Sequence, residues 1–367
     1  MAAKKILIIA GTRPEIIKVA PVMLAARECT ADRLQVKFCL TGQHKSMAQE
    51  ALQEFGITPD ADLQIMQPNQ TINDISSAVF GSLPAMLDRF EADVVLVQGD
   101  TTTAAMSALA AFNKKIPVGH IEAGLRSFNL DAPYPEEGNR RLISCIARYN
   151  FCPTQTALQN LQREGVPEER LFLSGNTIVD ALNEITARRN LDNLSLVHPR
   201  LKGPFILITA HRRESFGAAF ENICLAIRES ALKFPGIQFV YPVHLNPNVS
   251  EPVNRMLKSI GNVLLIPPVP YLGLLTLLKH CLFVLTDSGG IQEEAPSFRK
   301  LCVVMREVTE RGESVQLGMS ELVGTNRELI VAAIDRCVEH HDEFPSALNP
   351  YGDGRASGRI IEVLLTE

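Results

Sequence analysis

The sequence predicts an α/β protein built from two α/β units in series. Three observations predict it. Short runs rich in Val, Ile, Leu and Phe alternate with longer amphipathic stretches along the whole chain, which is the pattern of a parallel sheet covered by helices on both faces. The alternation starts afresh at FILITAH (205–211), well past the middle. A length of 367 residues also exceeds what one hydrophobic core ordinarily organises, so two domains of common size are expected.

In the first half, strands are predicted at KILIIA (5–10), VKFCLTG (36–42), DVVLVQGD (93–100), PVGHIEA (117–123) and YNFCPT (149–154). Helical stretches lie between them, among them ALAAFNKK (108–115) and LISCIARY (142–149). The second half repeats the order with FILITAH, IQFVYPVH (237–244), NVLLIPP (262–268), FVLTDSGG (283–290) and LCVVMRE (301–307). Residues 174–204 mix a helix with a polar, Pro-containing connection, and one crossing between domains is expected near 170–175. The expected domains are therefore 1–172 and 173–350. The remainder, 351–367, is a helix after a Gly-rich turn, expected to pack back on the first domain.

Composition excludes several classes. The chain is 46% hydrophobic, ample for two cores, yet no apolar run approaches the ~20 residues needed to span a bilayer. The start, MAAKKILIIAGTRPE, carries a short apolar run that leads into a charged turn, which reads as a first strand and not as a secretory signal. The eight cysteines are scattered with no C-x-x-C pair, so neither a disulfide framework nor a zinc site is expected, and the usage suits a reducing cytoplasm. A net charge of −5 gives no general attraction to nucleic acid, so an anionic ligand must be met by local groups. No repeat of 20 to 50 residues occurs, and neither a Walker lysine motif nor a G-x-G-x-x-G turn in its proper context is present.

Ligands of open parallel sheets bind beyond the carboxyl ends of the strands, and polar residues follow several predicted strands directly. GTRPEIIK brings Gly11, Arg13 and Lys18 to a strand-to-helix turn able to clamp a phosphate; a tight turn with a solvated Arg and Lys explains it equally well. In QGDTTT, Asp100 ends a central strand and the threonines are expected helix caps. HIEAGLRS puts Glu122 in a comparable place, and PYPEEGNRR follows with Glu136 and Glu137 opening a helix; Arg140 and Arg141 are expected as salt-bridge partners of Glu137. In the second half His211 and His244 end two strands, where a packed or solvated histidine is the alternative to a site. LTDSGGIQEEAP combines the turn Ser288-Gly289-Gly290, suited to a pyrophosphate, with Glu293 and Glu294, one of which is placed to accept two ribose hydroxyls. VTERGES adds Arg311 as a further phosphate contact. Carboxylates in the first domain and phosphate-binding groups in the second, across a cleft, are what a nucleotide-sugar enzyme requires.

GTRPEIIK, TGQH, GDTTT, HIEAGLRS, PYPEEGNRR, SGNTIVDAL, TAHRRESFG, YPVHLNPNV, LTDSGGIQEEAPS, TERGES and NPYGDG occur in this order. Through them the chain resembles, over nearly its whole length, the bacterial non-hydrolysing UDP-N-acetylglucosamine 2-epimerases. The resemblance implies a glycosyltransferase-B-like fold of two Rossmann-like domains facing a central cleft. It implies interconversion of UDP-GlcNAc and UDP-ManNAc by elimination of UDP to a 2-acetamidoglucal and readdition, in the supply of surface-polysaccharide precursors.

The resemblance also implies roles. The catalytic set falls on Asp100, Glu122, Glu136 and His211, and the substrate contacts on Arg13, Lys18, Ser288, Gly289, Gly290, Glu294 and Arg311. A second UDP-GlcNAc, as allosteric activator, falls on Gln43, His44, Gln70, Arg212 and His244. No cofactor and no metal are implied, and the expected assembly is a cytoplasmic homodimer without nucleic-acid or membrane partners. The chain departs from the usual family pattern at Val269 and Leu274, where uracil is expected to bind, and at Ala10. Rival readings are a hydrolysing epimerase releasing ManNAc and UDP, a 2-epimerase of a related sugar such as a diacetamido uronic acid, a glycosyltransferase, and a non-catalytic UDP-sugar sensor.

Overall fold

The fold was analysed in a computed structural model, which describes residues 3–30, 32–42, 45–67, 69–346 and 348–366, with residues 45–47 described by their backbone alone. The chain forms two compact units. Unit 1 reads β1 (Lys4–Ala10), α1 (Arg13–Glu28), β2 (Leu34–Leu40), α2 (Lys45–Phe55), β3 (Ala61–Asp62), α3 (Ile72–Phe90), β4 (Val94–Gln98), α4 (Thr102–Asn113), β5 (Val118–Ile121), α5 (Glu136–Ile146), β6 (Tyr149–Cys152), α6 (Gln155–Arg163), β7 (Leu171–Leu173) and α7 (Thr177–Arg188). Unit 2 continues with β8 (Phe205–Thr209), α8 (Ala218–Lys233), β9 (Gln238–Pro242), α9 (Pro247–Leu257), β10 (Val263–Ile266), α10 (Tyr271–His280), β11 (Val284–Thr286), α11 (Gly289–Glu294), β12 (Cys302–Val304), α12 (Gly312–Gln316), β13 (Ser320–Leu322) and α13 (Arg327–His340). The last helix, α14 (Ala356–Thr366), belongs to unit 1.

The units divide after Ala187, and unit 1 resumes at Tyr351. The crossing expected at 172/173 lies one helix earlier. Helix α7 stays with unit 1 because Ile178, Val179, Leu182 and Ile185 are buried, and because its Asp180 carboxylate accepts the first amides of α14, from Ser357 at 2.8 Å and Ala356 at 3.2 Å. Those amides have no partner within their own helix, so a side chain from a neighbouring helix satisfies them.

Each unit holds one parallel sheet, in the order β3-β2-β1-β4-β5-β6-β7 and β10-β9-β8-β11-β12-β13. The predicted long strands are all present. The short edge strands β3, β7 and β13, two or three residues each, carry too little pattern to have been read from sequence. In unit 2 the alternation along each strand separates two cores. Ile206, Ile208, Phe239, Tyr241 and Leu285 face one layer of helices, while Phe205, Leu207, Val240, Val284 and Val304 face the other. Successive side chains of a strand point to opposite faces, so strands buried on both sides read as continuous apolar runs. Each fully buried side chain of this kind contributes roughly 1.5–3 kcal/mol.

In both sheets the order reverses once, between β1 and β4 in unit 1 and between β8 and β11 in unit 2. Loops leave the two adjacent strand ends in opposite directions at such a point, and a crevice opens there. In unit 1 a fully buried histidine secures this edge. His120 on β5 donates Nε2–H to the Gly99 carbonyl at 2.8 Å, while the Gly99 N–H, at positive φ (+72°), donates to the Ile121 carbonyl at 3.0 Å. These contacts fix Asp100 and Glu122 at the ends of neighbouring strands.

Burial pushes the His120 imidazole pKa down to about 4, so it is neutral in the folded protein. Between the ordinary histidine value, ~6.5, and about 4, the unfolded chain takes up a proton that the folded one refuses. The stability this group contributes is therefore full above the upper value and is lost as pH falls through the lower one. The loss is on the order of 3 kcal/mol. Denaturant titrations near neutral pH and near the lower value are expected to show a larger acid loss for the wild type than for His120→Gln; parallel pH dependences would exclude this source.

Candidate functional site

In unit 1, Thr12 caps α1, and the Glu15 carboxylate folds back to accept the N–H groups of Gly11 (2.9 Å) and Thr12 (2.7 Å). This is a capping box. The other Glu15 oxygen accepts the Thr101 hydroxyl at 2.6 Å, which ties the loop after β1 to the loop after β4. Burial raises the Glu15 pKa, and these donors oppose the shift. The tie fixes the course of α1, on which Arg13 is half-buried at the first turn and Lys18 is buried one turn further.

Lys18 reaches over the end of β4 to form a buried ion pair with Glu122, and Gln98 donates to the same carboxylate oxygen at 3.2 Å. Glu122 has φ of +69°, in the left-handed region, where a residue with a side chain ordinarily costs about 1–3 kcal/mol. Ammonium and amide together hold the carboxylate in that aim. Asp100, one strand away, is half-buried, and Arg140 of α5 donates to it at 2.5 Å. Asn139 of the same helix holds the Asp100 carbonyl at 2.8 Å.

Glu136 is the first residue of α5, four residues before Arg140 and hence on the same helix face. Glu137 is fully buried and supports the loop: it accepts from the Ser127 N–H (2.9 Å) and from Arg141 (3.1 Å). Arg141 and Arg140, the latter donating at 3.4 Å, are thus both Glu137 partners as expected, and Arg140 makes a second, shorter ion pair with Asp100.

In unit 2, β8 and β11 are paired through Thr209 and Thr286, and the loops beyond them meet. Here His211 stacks on His244, with ring centroids 5.4 Å apart and planes inclined by 10°. The turn Ser288-Gly289-Gly290 opens α11, with Arg311 beneath it. A side chain at Gly289 would put its Cβ 2.9 Å from the Arg311 guanidinium carbon, so the arginine would have to shift to admit one. Glu293 binds Arg311 at 2.7 Å and Glu310 binds it at 3.2 Å, while Arg306 joins Glu310 (3.2 Å) to Glu214 (2.9 Å). Burial lowers the Arg212 pKa, and the nearby Arg306 and Arg311 act in the same direction. The result is a group of three arginines, interleaved with the carboxylates of Glu214, Glu293 and Glu310, that offers guanidinium donors to a diphosphate.

Glu294 is buried toward the other end of α11, where Tyr271 donates its hydroxyl at 2.8 Å. Val269 and Leu274, the departures near the expected uracil position, pack against an apolar cluster. Gln70 closes its own loop, donating to the Ile65 carbonyl (2.7 Å) and accepting the Gln67 N–H (2.9 Å). Gln43 and His44 lie outside the described residues.

The structure thus brings Lys18 to Glu122 and Asp100 to the helix that carries Glu136, and in unit 2 it brings His211, Arg212 and His244 to one loop cluster. Sequence reasoning passed over Glu15, Gln98, Tyr271 and Asp287, and over Asp100 as a second partner of Arg140 beside Glu137. Only Glu15 had a local signal, the T-x-x-E spacing after the first strand.

A family model described as UDP-N-acetylglucosamine 2-epimerase matches residues 27–365. A UDP-N-acetylglucosamine 2-epimerase of Yersinia pestis is 48% identical over 372 residues, which cover 98% of each chain. The solved structure of the UDP-GlcNAc 2-epimerase from Neisseria meningitidis bound to UDP-GlcNAc is 43% identical, with a TM-score of 0.93 over 99% of this chain and 100% of that one. In fold alone the chain is also similar to the glycosyltransferase-B-like MurG of Acinetobacter baumannii, at 14% identity and a TM-score of 0.57. By the family match and by its relatives, this chain belongs to the UDP-N-acetylglucosamine 2-epimerase family.

Proposed function

We propose that this protein is an isomerase that interconverts UDP-GlcNAc and UDP-ManNAc. The observation that carries the proposal is the pair of carboxylates at the ends of β4 and β5, each held by a buried cation: Asp100 by Arg140 and Glu122 by Lys18. The proton on carbon 2 has no adjacent carbonyl and is too weakly acidic for simple removal and return. Eliminating UDP to give a 2-acetamidoglucal, then adding it back with protonation on the other face, avoids that difficulty. Such a route needs proton-transfer groups for both faces, which two carboxylates supply better than one base.

Asp100, Glu122, Glu136 and His211 are assigned to this proton-transfer set. Ser288, Gly289, Gly290 and Arg311 are assigned to the diphosphate, with Arg13 and Lys18 as further substrate contacts and Glu294 to the ribose hydroxyls. Cations stabilise the leaving UDP most where water is excluded. The cation cluster at Arg212, Arg306 and Arg311 supports this part of the reading. Gln43, His44, Gln70, Arg212 and His244 are assigned to a second UDP-GlcNAc acting as activator.

A cytoplasmic homodimer feeding surface-polysaccharide synthesis completes the reading. No helix among the described residues is long and apolar enough to cross a membrane, and six of the eight thiols are buried. Phe112 on α4 and Leu142 on α5 are 51% and 57% exposed on helices that pack together, a surface suited to a second copy.

Incubation with UDP-GlcNAc in deuterated water, followed by NMR, is expected to put deuterium on carbon 2 and to form UDP-ManNAc without free sugar. Free ManNAc would point to the hydrolysing reaction instead, and an unchanged sugar would remove this substrate. Glu122→Gln and Asp100→Asn are each expected to lower kcat by roughly a hundredfold or more while UDP affinity, measured by calorimetry, changes little; near-normal rates in both would sink the role assignment. Light scattering is expected to give twice the chain mass, falling toward one copy in Phe112→Lys/Leu142→Lys, and a monomeric wild type would refute the dimer.

A further inference from the structure

Asp287 is a carboxylate that no role above uses. It is fully buried at the end of β11, and because β11 lies beside β8 it sits under the loop that carries His211. One oxygen, Oδ2, accepts the backbone N–H groups of His211 at 2.7 Å and Arg212 at 2.8 Å. The other, Oδ1, accepts no hydrogen bond among the described residues, and His211 Nδ1 stands 3.7 Å from it.

A buried carboxylate oxygen without a donor is costly, and such an atom in a folded protein calls for an explanation. Here the missing donor is within reach. A movement of the imidazole by about 1 Å would make a charge-assisted hydrogen bond between Nδ1–H and Oδ1. The His211 side chain is 45% exposed, and its flat face rests on His244. His244 is held in turn by the Asn246 N–H, which donates to its Nδ1 at 3.1 Å. The titratable and charged groups around His211 include Asp287 after β11, His244 after β9, and its own neighbour Arg212.

We propose that Asp287 is the positioning residue of His211. Its Oδ1 receives Nδ1–H when the site is occupied, which turns Nε2 outward as the atom that takes and returns a proton. The proton moves on and off Nε2 alone, no bond to Asp287 forms or breaks, and the carboxylate stabilises the imidazolium in between. This rests on the assignment of His211 to the proton-transfer set, and it adds why the imidazole has one tautomer and one aim. It also links that aim to the diphosphate turn, because Asp287 directly precedes Ser288.

Asp287→Asn tests the proposal, because its amide oxygen still accepts the two backbone N–H groups while its NH₂ cannot accept Nδ1–H. The variant is expected to lower kcat at least tenfold with KM for UDP-GlcNAc within about threefold, and to lower the His211 imidazole pKa by about one unit in NMR of histidine-labelled protein. A low-field Nδ1–H resonance of His211 is expected in the wild-type UDP complex and is expected to vanish in Asp287→Asn. If the variant keeps the wild-type imidazole titration and tautomer, Asp287 is only a backbone clamp and the proposal fails. If the variant does not fold, the wild-type UDP complex decides: a protonated Nδ1 supports the proposal, and a bare Nδ1 overturns it. A wild type that shows the resonance but does not epimerise UDP-GlcNAc would remove the functional reading and leave the Asp287–His211 pair standing.

Discussion

The buried ion pair between Lys18 and Glu122 is the contact on which the candidate site of unit 1 depends. Taking either charge out of water alone would cost several kcal/mol, so neither tolerates loss of the other. The pair joins α1, which follows β1, to the end of β5, and it crosses β4 on the way. Three loops are thereby held at one edge of the sheet. The left-handed backbone at Glu122 is consistent with this, because a strained residue persists only where its surroundings over-determine it.

The same logic governs the other charges. Asp100 is held by Arg140, Arg311 by Glu293 and Glu310, and Arg306 by Glu214 and Glu310. Some of these pairs are local, as between Arg311 and Glu310, but Lys18 with Glu122, Arg140 with Asp100 and Arg306 with Glu214 join elements distant in sequence, so they form only as the sheets fold. Around this polar edge both cores are conventional, with apolar strands covered on both faces. The helices therefore supply rigidity, while the strand ends supply chemistry.

The switch points explain why polar residues gather where they do. At any other position in a parallel sheet, neighbouring loops cross to the same side and close over the strand ends. Between β1 and β4, and again between β8 and β11, they part. Glu15 in unit 1 and Asp287 in unit 2 bind backbone amides of the parted loops, each by a carboxylate buried at the edge. Neither group is needed for the sheet itself, but each keeps a loop in place for the side chains it carries.

By itself the sequence determined the alternation of strands and helices, the doubling into two α/β units, and the strand ends at which Asp100, Glu122, His211 and Ser288 stand. These are local properties: periodicity, apolar runs and turn residues act within about ten positions of one another. The edge strands β3, β7 and β13 escaped because two or three residues carry no period, and the division after Ala187 escaped because α7 is assigned by what it buries. Tertiary structure alone decided the partners. Lys18 and Glu122 are 104 positions apart, Arg140 and Asp100 are 40 apart, and Asp287 meets the amide of His211 across 76. Nothing in the local pattern shows that Arg140, which pairs with Glu137 on its own helix, also binds Asp100. That pairing is made only when strand order brings distant carboxyl ends together and burial makes an unpaired charge too costly to leave.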